Sequence, residues 1–267
     1  MPLSFTQVDA FADGPFTGNP AAVFHLPEFP SDGFLADVAR EMNLSETAFL
    51  VRKSGDSFAL RWFTPSTEVD LCGHATLAAA HALFEIGAVG GRLIRFHTRS
   101  GELAVRQSGG GNLTMNFPAE VPTERPRPAD LETMIGAPVS WYGENRMDAF
   151  VQVDEPGWVR SLDPDLSLIG RLPLRGVIVT ATGDEEGIDF ISRFFAPQSG
   201  VPEDPVTGSA HCALAPFWHQ RLGRAELVGY QASARGGKVQ VRHDGDRVYL
   251  TGAAITTVRG ELLVDPR

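Results

Sequence analysis

The chain has 267 residues, of which 43% are hydrophobic and 21% are charged, and its formal net charge is −10. This composition is typical of a globular protein with room for two domains, and the acidic balance makes nucleic acids and anionic membranes poor partners. Two cysteines are too few for a disulfide framework. The first residues lack the basic start and apolar core of a signal peptide, and no apolar run approaches the roughly 20 residues of a membrane span. We therefore expect a soluble, cytoplasmic protein with no membrane partner.

The first half of the sequence combines strand patterns with two helices. Ser31 is a suitable N-cap for a helix over residues 31–42, because apolar residues recur there at helical spacing. A second, alanine-rich helix is predicted over residues 74–86, and Gly87 after it is a residue type that favours helix C-termini. Strands are predicted at residues 5–11, 21–26, 47–53 and 57–63, with two or three more within residues 93–117.

A proline-rich stretch at residues 118–128 is the predicted domain linker. We therefore place one domain at residues 1–118 and the other at residues 119–267, with the alternative that the last strand returns to the first half. The strands outnumber the helices, which predicts an α+β protein with one small-residue helix wrapped by sheet in each half. Strands of the second half are predicted at residues 148–153, 176–181, 188–195, 237–243, 247–252 and 254–264.

One motif occurs in both halves. Residues 61–80 are RWFTPSTEVDLCGHATLAAA, and residues 193–215 are RFFAPQSGVPEDPVTGSAHCALA. Each copy begins with arginine, two aromatic residues, a small residue and proline, and each passes through an acidic loop to a glycine that opens a helix. A weaker echo pairs VDAF at residues 8–11 with MDAF at residues 147–150. The repeat predicts two similar halves.

The glycine at each helix start suggests a function. The first backbone N–H groups of a helix have no partner within it, and the helix dipole adds positive charge there. His74 follows Gly73, and Ser209 follows Gly208, so a polar side chain accompanies each start. Two such starts facing a shared cleft would bind a carboxylate or a developing enolate without a metal or cofactor. The alternative is that both are ordinary helix caps.

Four stretches together resemble a known family. VDAFADGPFTGNPAAVF, MNLSETAFL, RWFTPSTEVDLCGHATLAAAHAL and EDPVTGSAHCALAPFW are similar to the PhzF-like isomerases of phenazine biosynthesis, which are relatives of the diaminopimelate epimerases. The resemblance implies an α+β, diaminopimelate epimerase-like fold of two pseudo-symmetric domains, each with a curved mixed sheet or barrel around a central helix. It also implies a homodimer and a cofactor-independent reaction in which a carboxylate moves a proton from carbon to carbon.

The resemblance assigns site residues as well. The family's catalytic glutamate, in its N-x-S-E-T motif, falls on Glu46, and the histidine after the first glycine falls on His74. The aspartate before P-V-T-G falls on Asp204, and the serine of G-S-A falls on Ser209. We predict catalytic roles for these four residues. The predicted substrate-binding residues are Asn19, Ser45, Cys72, Gly73 and Gly208.

Each catalytic candidate has a chemical rationale and a plainer alternative. Glu46 lies between a helix end and an apolar strand, where partial removal from water suits a general base, but a solvated turn glutamate would have the same sequence. His74 at a helix start would stay neutral and donate a hydrogen bond or relay a proton, or would only cap the helix. Asp204 would orient His74 or a substrate amine, or would only balance the helix dipole. Ser209 would add a donor to the anion site.

Two further mechanisms are open. Racemases and epimerases of the superfamily use two thiols, and Cys72 lies where one of them would be, but the other half has no cysteine before Gly208. Cys212 lies one helical turn further on and is predicted to be core, so a suprafacial proton shift by one carboxylate fits better than a thiol-dependent epimerase using Cys72. A metal site is disfavoured, because His74 and His81 share a helix without a further ligand at suitable spacing.

The sequence therefore predicts a cofactor-independent isomerase that moves a proton between carbons of a small carboxylate-bearing metabolite. The alternative of another class is a non-catalytic ligand-binding protein of the same fold. The joint presence of Glu46, His74, Asp204 and Ser209 argues against it.

Overall fold

The computed structural model describes residues 2–264 of the chain. Within that range the helices are α1 (Asp32–Met42), α2 (Gly73–Glu85), α3 (Leu131–Ile135), α4 (Pro156–Ser161), α5 (Leu166–Ile169) and α6 (Gly208–Leu222), with 3₁₀ turns at Gly109–Gly111 and Pro197–Ser199. The strands are β1 (Leu3–Ala10), β2 (Asn19–Leu26), β3 (Glu46–Ser54), β4 (Ser57–Phe63), β5 (Glu68–Val69), β6 (Leu93–Thr98), β7 (Gly101–Gln107), β8 (Leu113–Pro118), β9 (Thr123–Glu124), β10 (Trp141–Glu144), β11 (Asp148–Gln152), β12 (Gly176–Thr182), β13 (Phe190–Phe195), β14 (Glu226–Gln231), β15 (Gly237–Asp244), β16 (Arg247–Gly252) and β17 (Ala254–Leu262). Strands dominate, which confirms the predicted α+β class. Across the described residues, every helix is too short or too polar to span a lipid bilayer.

Backbone contacts divide the chain into two units. Among the described residues, the first unit comprises residues 2–116 together with residues 251–264, and the second is Phe117–Leu250. The boundary near residue 116 lies close to the predicted one, but residues 251–264 group with the first unit instead of the second. Strand β17 pairs antiparallel with β1, which brings the C-terminal strand into the sheet of the first unit. The sequence had left this return open as an alternative.

The two units have the same order of strand pairing. In the first unit β1–β2 is antiparallel, β2–β3 parallel, β3–β4 antiparallel, β4–β6 parallel and β6–β7 antiparallel. In the second unit β10–β11 is antiparallel, β11–β12 parallel, β12–β13 antiparallel, β13–β14 parallel and β14–β15 antiparallel. The repeat that begins with arginine and two aromatic residues is therefore a repeat of topology. The VDAF and MDAF echo is not, because VDAF lies at the end of β1 and MDAF at the start of β11, which corresponds to β2.

Strand register in the first unit fixes the position of Glu46. Glu46 is the first residue of β3 and lies opposite Ala21 on β2. Thr47, the next residue, lies opposite Phe63, which is the second aromatic residue of the repeated motif. The position of Glu46 is thus set by the parallel strand β2 on one side and by β4, which carries the motif, on the other.

The same relations identify its counterpart in the second unit. Gly176 is the first residue of β12 and lies opposite Asp148 on β11. Val177 follows and lies opposite Phe195, the second aromatic residue of the other motif copy. Gly176 therefore holds, in the second unit, the place that Glu46 holds in the first.

A small-residue helix packs against the sheet in each unit, as predicted. Helix α2 packs against β1, β2, β3 and β17, and it buries most of its alanine-rich sequence. Helix α6 packs against β14 and β15 and is equally apolar around its first three turns. Such a helix is stable only where its whole circumference is covered, and alanine side chains let the strands approach closely.

A proline inside α6 creates a contact with the proline-rich segment. Pro216 has no N–H to donate to the carbonyl of Cys212 one turn earlier. The backbone N–H of Glu120 donates to that carbonyl instead, at 3.0 Å. Further along the segment, β9 pairs with β10. The stretch predicted as a linker is therefore an ordered part of the second unit.

Local sequence signals are mostly matched by the structure. Ser31 Oγ accepts a hydrogen bond from Phe34 N at 3.3 Å, and Asn43 ends α1 in the left-handed conformation with φ 50°. The hydrophobic pattern did not predict β14, because Gly229 interrupts the alternation of apolar and polar residues in this strand. A Cβ on Gly229 would lie 2.3 Å from the ring of Phe190, so packing on the neighbouring strand requires glycine there.

Candidate active site

The first unit brings Glu46 and His74 together. Glu46 begins β3 and His74 is the second residue of α2, so the fold places a carboxylate beside an imidazole. Glu46 Oε2 and His74 Nε2 lie 3.2 Å apart, and the exposed fractions of the two side chains are 16% and 4%. The contact does not meet the geometry of a hydrogen bond. Catalytic hydrogen bonds often align only when substrate binds, so the distance is the more informative measure.

The other ring nitrogen of His74 faces Asn19 and Cys72. Asn19 Nδ2 lies 3.1 Å from His74 Nδ1, and Cys72 Sγ lies 3.5 Å from the same atom. An amide nitrogen only donates hydrogen bonds, so Nδ1 accepts, and this pattern assigns the ring proton to Nε2. His74 therefore presents an N–H group toward Glu46.

His74 is neutral at physiological pH. Burial lowers the pKa of His74 to about 3. The positive end of the α2 dipole disfavours the imidazolium form as well. A neutral imidazole can donate a hydrogen bond, but it is too weak an acid to protonate the Glu46 carboxylate.

The turn before β2 explains why Asn19 is available to His74. Gly18 has φ 69°, and a Cβ at this position would lie 2.3 Å from the carbonyl oxygen of Ala10, so only glycine fits. The buried carboxylate of Asp9 accepts a hydrogen bond from Phe16 N at 3.0 Å, which holds the preceding loop. Asn19 then begins β2 with no exposed surface.

The donor set of this site suits proton transfer better than metal binding. Ligand atoms of Glu46, Cys72 and His74 lie within 4.8 Å of one another. However, Cys72 contacts Nδ1 of the imidazole and Glu46 contacts Nε2, at different edges of the ring. Because a histidine offers one nitrogen to a given ion, this arrangement does not direct all three groups at one metal.

The second unit contains a different polar cluster, around Ser209. Arg175 precedes β12, and its Nε and Nη2 donate to the two carboxylate oxygens of Asp148 at 2.9 and 2.6 Å. Arg175 Nη2 also donates to Ser209 Oγ at 2.9 Å. The Asp148 side chain is fully buried, whereas Arg175 is 33% exposed. Burial raises the pKa of Asp148, and the hydrogen bonds from Arg175 oppose that shift.

Asp204 lies in the loop before α6 and contacts the helix cap. Its carboxylate accepts a hydrogen bond from the hydroxyl of Thr207, the N-cap residue. The Gln231 side chain accepts from Thr207 N at 2.8 Å and donates to the Asp204 carbonyl at 2.7 Å. These contacts tie the acidic loop to β14 and fix the start of α6. A direct role for Asp204 in chemistry stays a prediction.

The remaining predicted residues lie at element boundaries. Gly73 and Gly208 are the first residues of α2 and α6. Ser45 lies half-buried in the bend before β3. Sequence reasoning missed Arg175, because only the strand register shows that it is the counterpart of Ser45. Asp148 was also missed. It lies in the MDAF stretch at residues 147–150, which does not indicate that Arg175 is its partner.

Cys212 lies in the core, as expected. It is 4% exposed, and burial raises the pKa of its thiol to about 12. A thiol with such a pKa is almost entirely protonated near neutral pH and is a poor base. Its burial in the core argues against a role as the second thiol of a two-thiol epimerase.

Comparison with known proteins identifies the family. The sequence model of the family described as "Phenazine biosynthesis-like protein" matches residues 8–260. The chain belongs to this family. The resemblance found in the sequence motifs is thereby confirmed.

Members of the phenazine biosynthesis-like family match along almost the whole chain. An "uncharacterized isomerase" of Pseudomonas aeruginosa is 47% identical over 262 residues, covering 98% of this chain and 99% of the relative. A protein of the same name from Halalkalibacterium halodurans is 46% identical over 259 residues, covering 96% and 97%. The predicted class, an isomerase of this family, is confirmed at this level.

Solved structures show the same fold. A PhzF family protein of Enterococcus faecalis matches with a TM-score of 0.94 at 41% identity, covering 99% of this chain and all of the other. A hydroxyproline epimerase of Agrobacterium vitis matches with a TM-score of 0.61 at 15% identity, covering 99% and 94%, which is a likeness of fold alone. The predicted epimerase-like fold is thus confirmed.

Proposed function

We propose that this isomerase moves a proton between two carbons of a small carboxylate-bearing metabolite, with Glu46 as the general acid and base and without a cofactor. The observation that carries the proposal is the 3.2 Å contact between the largely buried Glu46 carboxylate and the buried His74 ring. A carboxylate that is partly removed from water and faces a neutral donor is suited to accept a proton from a weak carbon acid.

One carboxyl group is sufficient for the proposed proton transfer. Glu46 takes a proton from a carbon next to an unsaturated system, the C–H electron pair moves into that system, and the same carboxyl group returns the proton to another carbon on the same face. His74, with its proton on Nε2, donates to a substrate oxygen that gains negative charge as the electrons move. Neither residue needs to change its charge over the full cycle.

The other assignments belong to the same proposal. Within the second unit, Ser209 and the backbone N–H groups at the start of α6 bind a substrate carboxylate, and Asp204 holds the start of α6. The backbone N–H groups at the start of α2 are candidates for the same role in the first unit. Supporting observations are that Gly73 and Gly208 open the two helices and that Ser209 Oγ is engaged by Arg175. The homodimer and the cytoplasmic location stay predictions from the sequence.

Proton NMR in deuterated water tests the proposal. The protein is incubated with dihydrohydroxyanthranilate and a panel of small amino and hydroxy acids, beside a Glu46→Gln variant. We expect deuterium to enter a substrate carbon with the wild type and not with the variant. The matched control is Glu120→Gln, because the Glu120 side chain is 17% exposed, close to the 16% of Glu46, and pairs with Arg146 at the surface.

The outcomes separate the alternatives. Deuterium entering equally in wild type and Glu46→Gln would show that another group is the base. Binding of a panel member, measured by thermal shift, without exchange by either protein would instead support the ligand-binding alternative.

A further inference from the structure

The guanidinium of Arg175 is held in place on one side by a buried charge. Asp148 is fully buried and pairs with Arg175 through two hydrogen bonds. The backbones are also joined, since Arg175 N donates to the Met147 carbonyl at 2.8 Å. The Arg175 guanidinium lies over the ring of Phe194 at 5.1 Å. A planar guanidinium with these partners has little rotational freedom, so the direction of its remaining N–H groups is fixed.

This fixed guanidinium sets the role of the Ser209 hydroxyl. A serine hydroxyl has one hydrogen to donate and two lone pairs to accept with. Ser209 Oγ accepts from Arg175 Nη2 at 2.9 Å, so its own hydrogen points away from the guanidinium. Among residues 2–264, the described hydrogen bonds give that hydrogen no acceptor. The hydroxyl is therefore left as a donor toward a ligand.

We propose that Arg175 is a positioning residue that holds the Ser209 hydroxyl as a donor and so makes this site select carboxylates over the matching uncharged amides. This inference rests on the proposed function, because the ligand is the carboxylate of the same substrate. A carboxylate accepts the hydrogen of Ser209 and carries a charge opposite to that of the neighbouring Arg175 guanidinium. An amide offers one acceptor without the charge and binds more weakly.

Binding of matched acid and amide pairs tests the proposal without requiring turnover. The probes are benzoate with benzamide, 2-aminobenzoate with 2-aminobenzamide, and lactate with lactamide, titrated by calorimetry into the full chain. We expect the wild type to prefer at least one acid over its amide. In Arg175→Lys, which keeps the charge but loses the planar fork, we expect that preference to fall about tenfold, the typical value of one charge-assisted hydrogen bond.

A double-mutant cycle asks whether Arg175 acts through the hydroxyl. Ser209→Ala should also reduce acid binding about tenfold, and the double variant should bind as weakly as either single variant rather than a hundredfold more weakly. Ser209→Ala leaves the ion pair with Asp148 intact, so it keeps the test valid if Arg175→Lys folds poorly.

The control is Arg160→Lys. Arg160 is 35% exposed, pairs with Asp184 through two hydrogen bonds and lies over an aromatic ring, but it has no contact with Ser209. It should leave the acid preference unchanged. Glu46→Gln should also keep the acid preference while losing exchange, so failure of this inference and failure of the proposed function give different results.

Three results would overturn the inference. One is a wild type without acid preference for any pair. The second is an Arg175→Lys variant that retains the full preference. The third is a double variant whose loss of acid binding equals the product of the two single-variant losses, which would mean that Arg175 and Ser209 act independently.

Discussion

The two units share one topology but carry different chemistry at equivalent positions. In the first unit, the residue that opens β3 is Glu46, and the residue after the helix-opening glycine is His74. In the second unit, the corresponding residues are Gly176 and Ser209, and Arg175 supplies the charge. One unit thus offers a carboxylate and an imidazole, and the other a hydroxyl and a guanidinium. The repeated fold supplies the positions, and the side chains at these positions decide what each unit can do.

The difference between Glu46 and its counterpart Gly176 has a steric cause. A Cβ on Gly176 would lie 2.5 Å from the Phe195 carbonyl oxygen and 2.8 Å from the Phe194 ring. A second carboxylate at the position that matches Glu46 is therefore excluded by packing. Of these two matching positions, only the one in the first unit carries a side chain that can act as an acid or base.

Replacement of Glu46, the proposed base, should have the largest effect of the variants that compare the two units. Glu46→Gln should reduce deuterium exchange by about 10²–10⁴-fold, the usual range for a general acid or base. Ser209→Ala, at the position that matches His74, should act mainly through substrate binding. Michaelis kinetics with an accepted substrate would separate a fall in kcat from a rise in KM, and a similar fall in kcat for both variants would contradict the division of roles.

Two buried histidines allow the next test. His74 and His211 are both fully buried in the central helices, but only His74 contacts Glu46. His211 instead has Nδ1 at 2.8 Å from the Thr207 carbonyl. His74→Gln should reduce kcat by about tenfold to a hundredfold through loss of a positioned donor. A matched His211→Gln variant should keep kcat, and equal losses in both variants would indicate a structural role for His74.

The packing argument for Gly176 predicts a stability effect. Gly176→Ala should lower the free energy of unfolding by about 1–3 kcal/mol, because the new methyl group overlaps the neighbouring strand. Gly157→Ala in α4 is the control, since a Cβ there meets nothing within 4 Å and alanine favours a helix. Urea denaturation measures both. A stable Gly176→Ala variant would remove the steric reason for the asymmetry.

Acid should destabilise both units through their histidines. The pKa values of His74 and His211, about 3 and about 4, lie below the ordinary 6.5, in both cases because of burial. Below pH 6.5 the unfolded chain binds protons that the folded chain does not, so stability falls as the pH decreases. From pH 7 to pH 5 each histidine should cost about 2 kcal/mol. Urea denaturation at both pH values checks this, and His211→Gln should reduce the pH dependence.

Cys72 should give the smallest effect. Its Sγ lies 3.5 Å from His74 Nδ1, but Asn19 also donates to that atom. We expect Cys72→Ser to change the exchange rate by less than about threefold, because serine keeps a donor of similar size beside the ring. A much larger loss, together with inactivation of the wild type by a thiol alkylator, would support the thiol-dependent alternative instead.

Much of the fold was accessible from sequence because its signals are local. The cap at Ser31 and the alanine-rich helices follow from side-chain preferences over a few residues. Glu46 and His74 were identified through motifs, but the motifs do not show that their side chains meet. That contact depends on packing of α2 against β3, which are separated in the chain.

The sequence by itself determined the repeated motif, the helix starts at Gly73 and Gly208 and the family, since these are properties of contiguous residues. Only the tertiary structure decided that Arg175 pairs with Asp148 and Ser209 and that β17 joins β1. Strand register and long-range pairing set these contacts, and a shift of one residue would turn each side chain to the opposite face of the sheet. The physical reason is that chain-distant contacts depend on the free energy of the whole packed unit, which no short segment encodes.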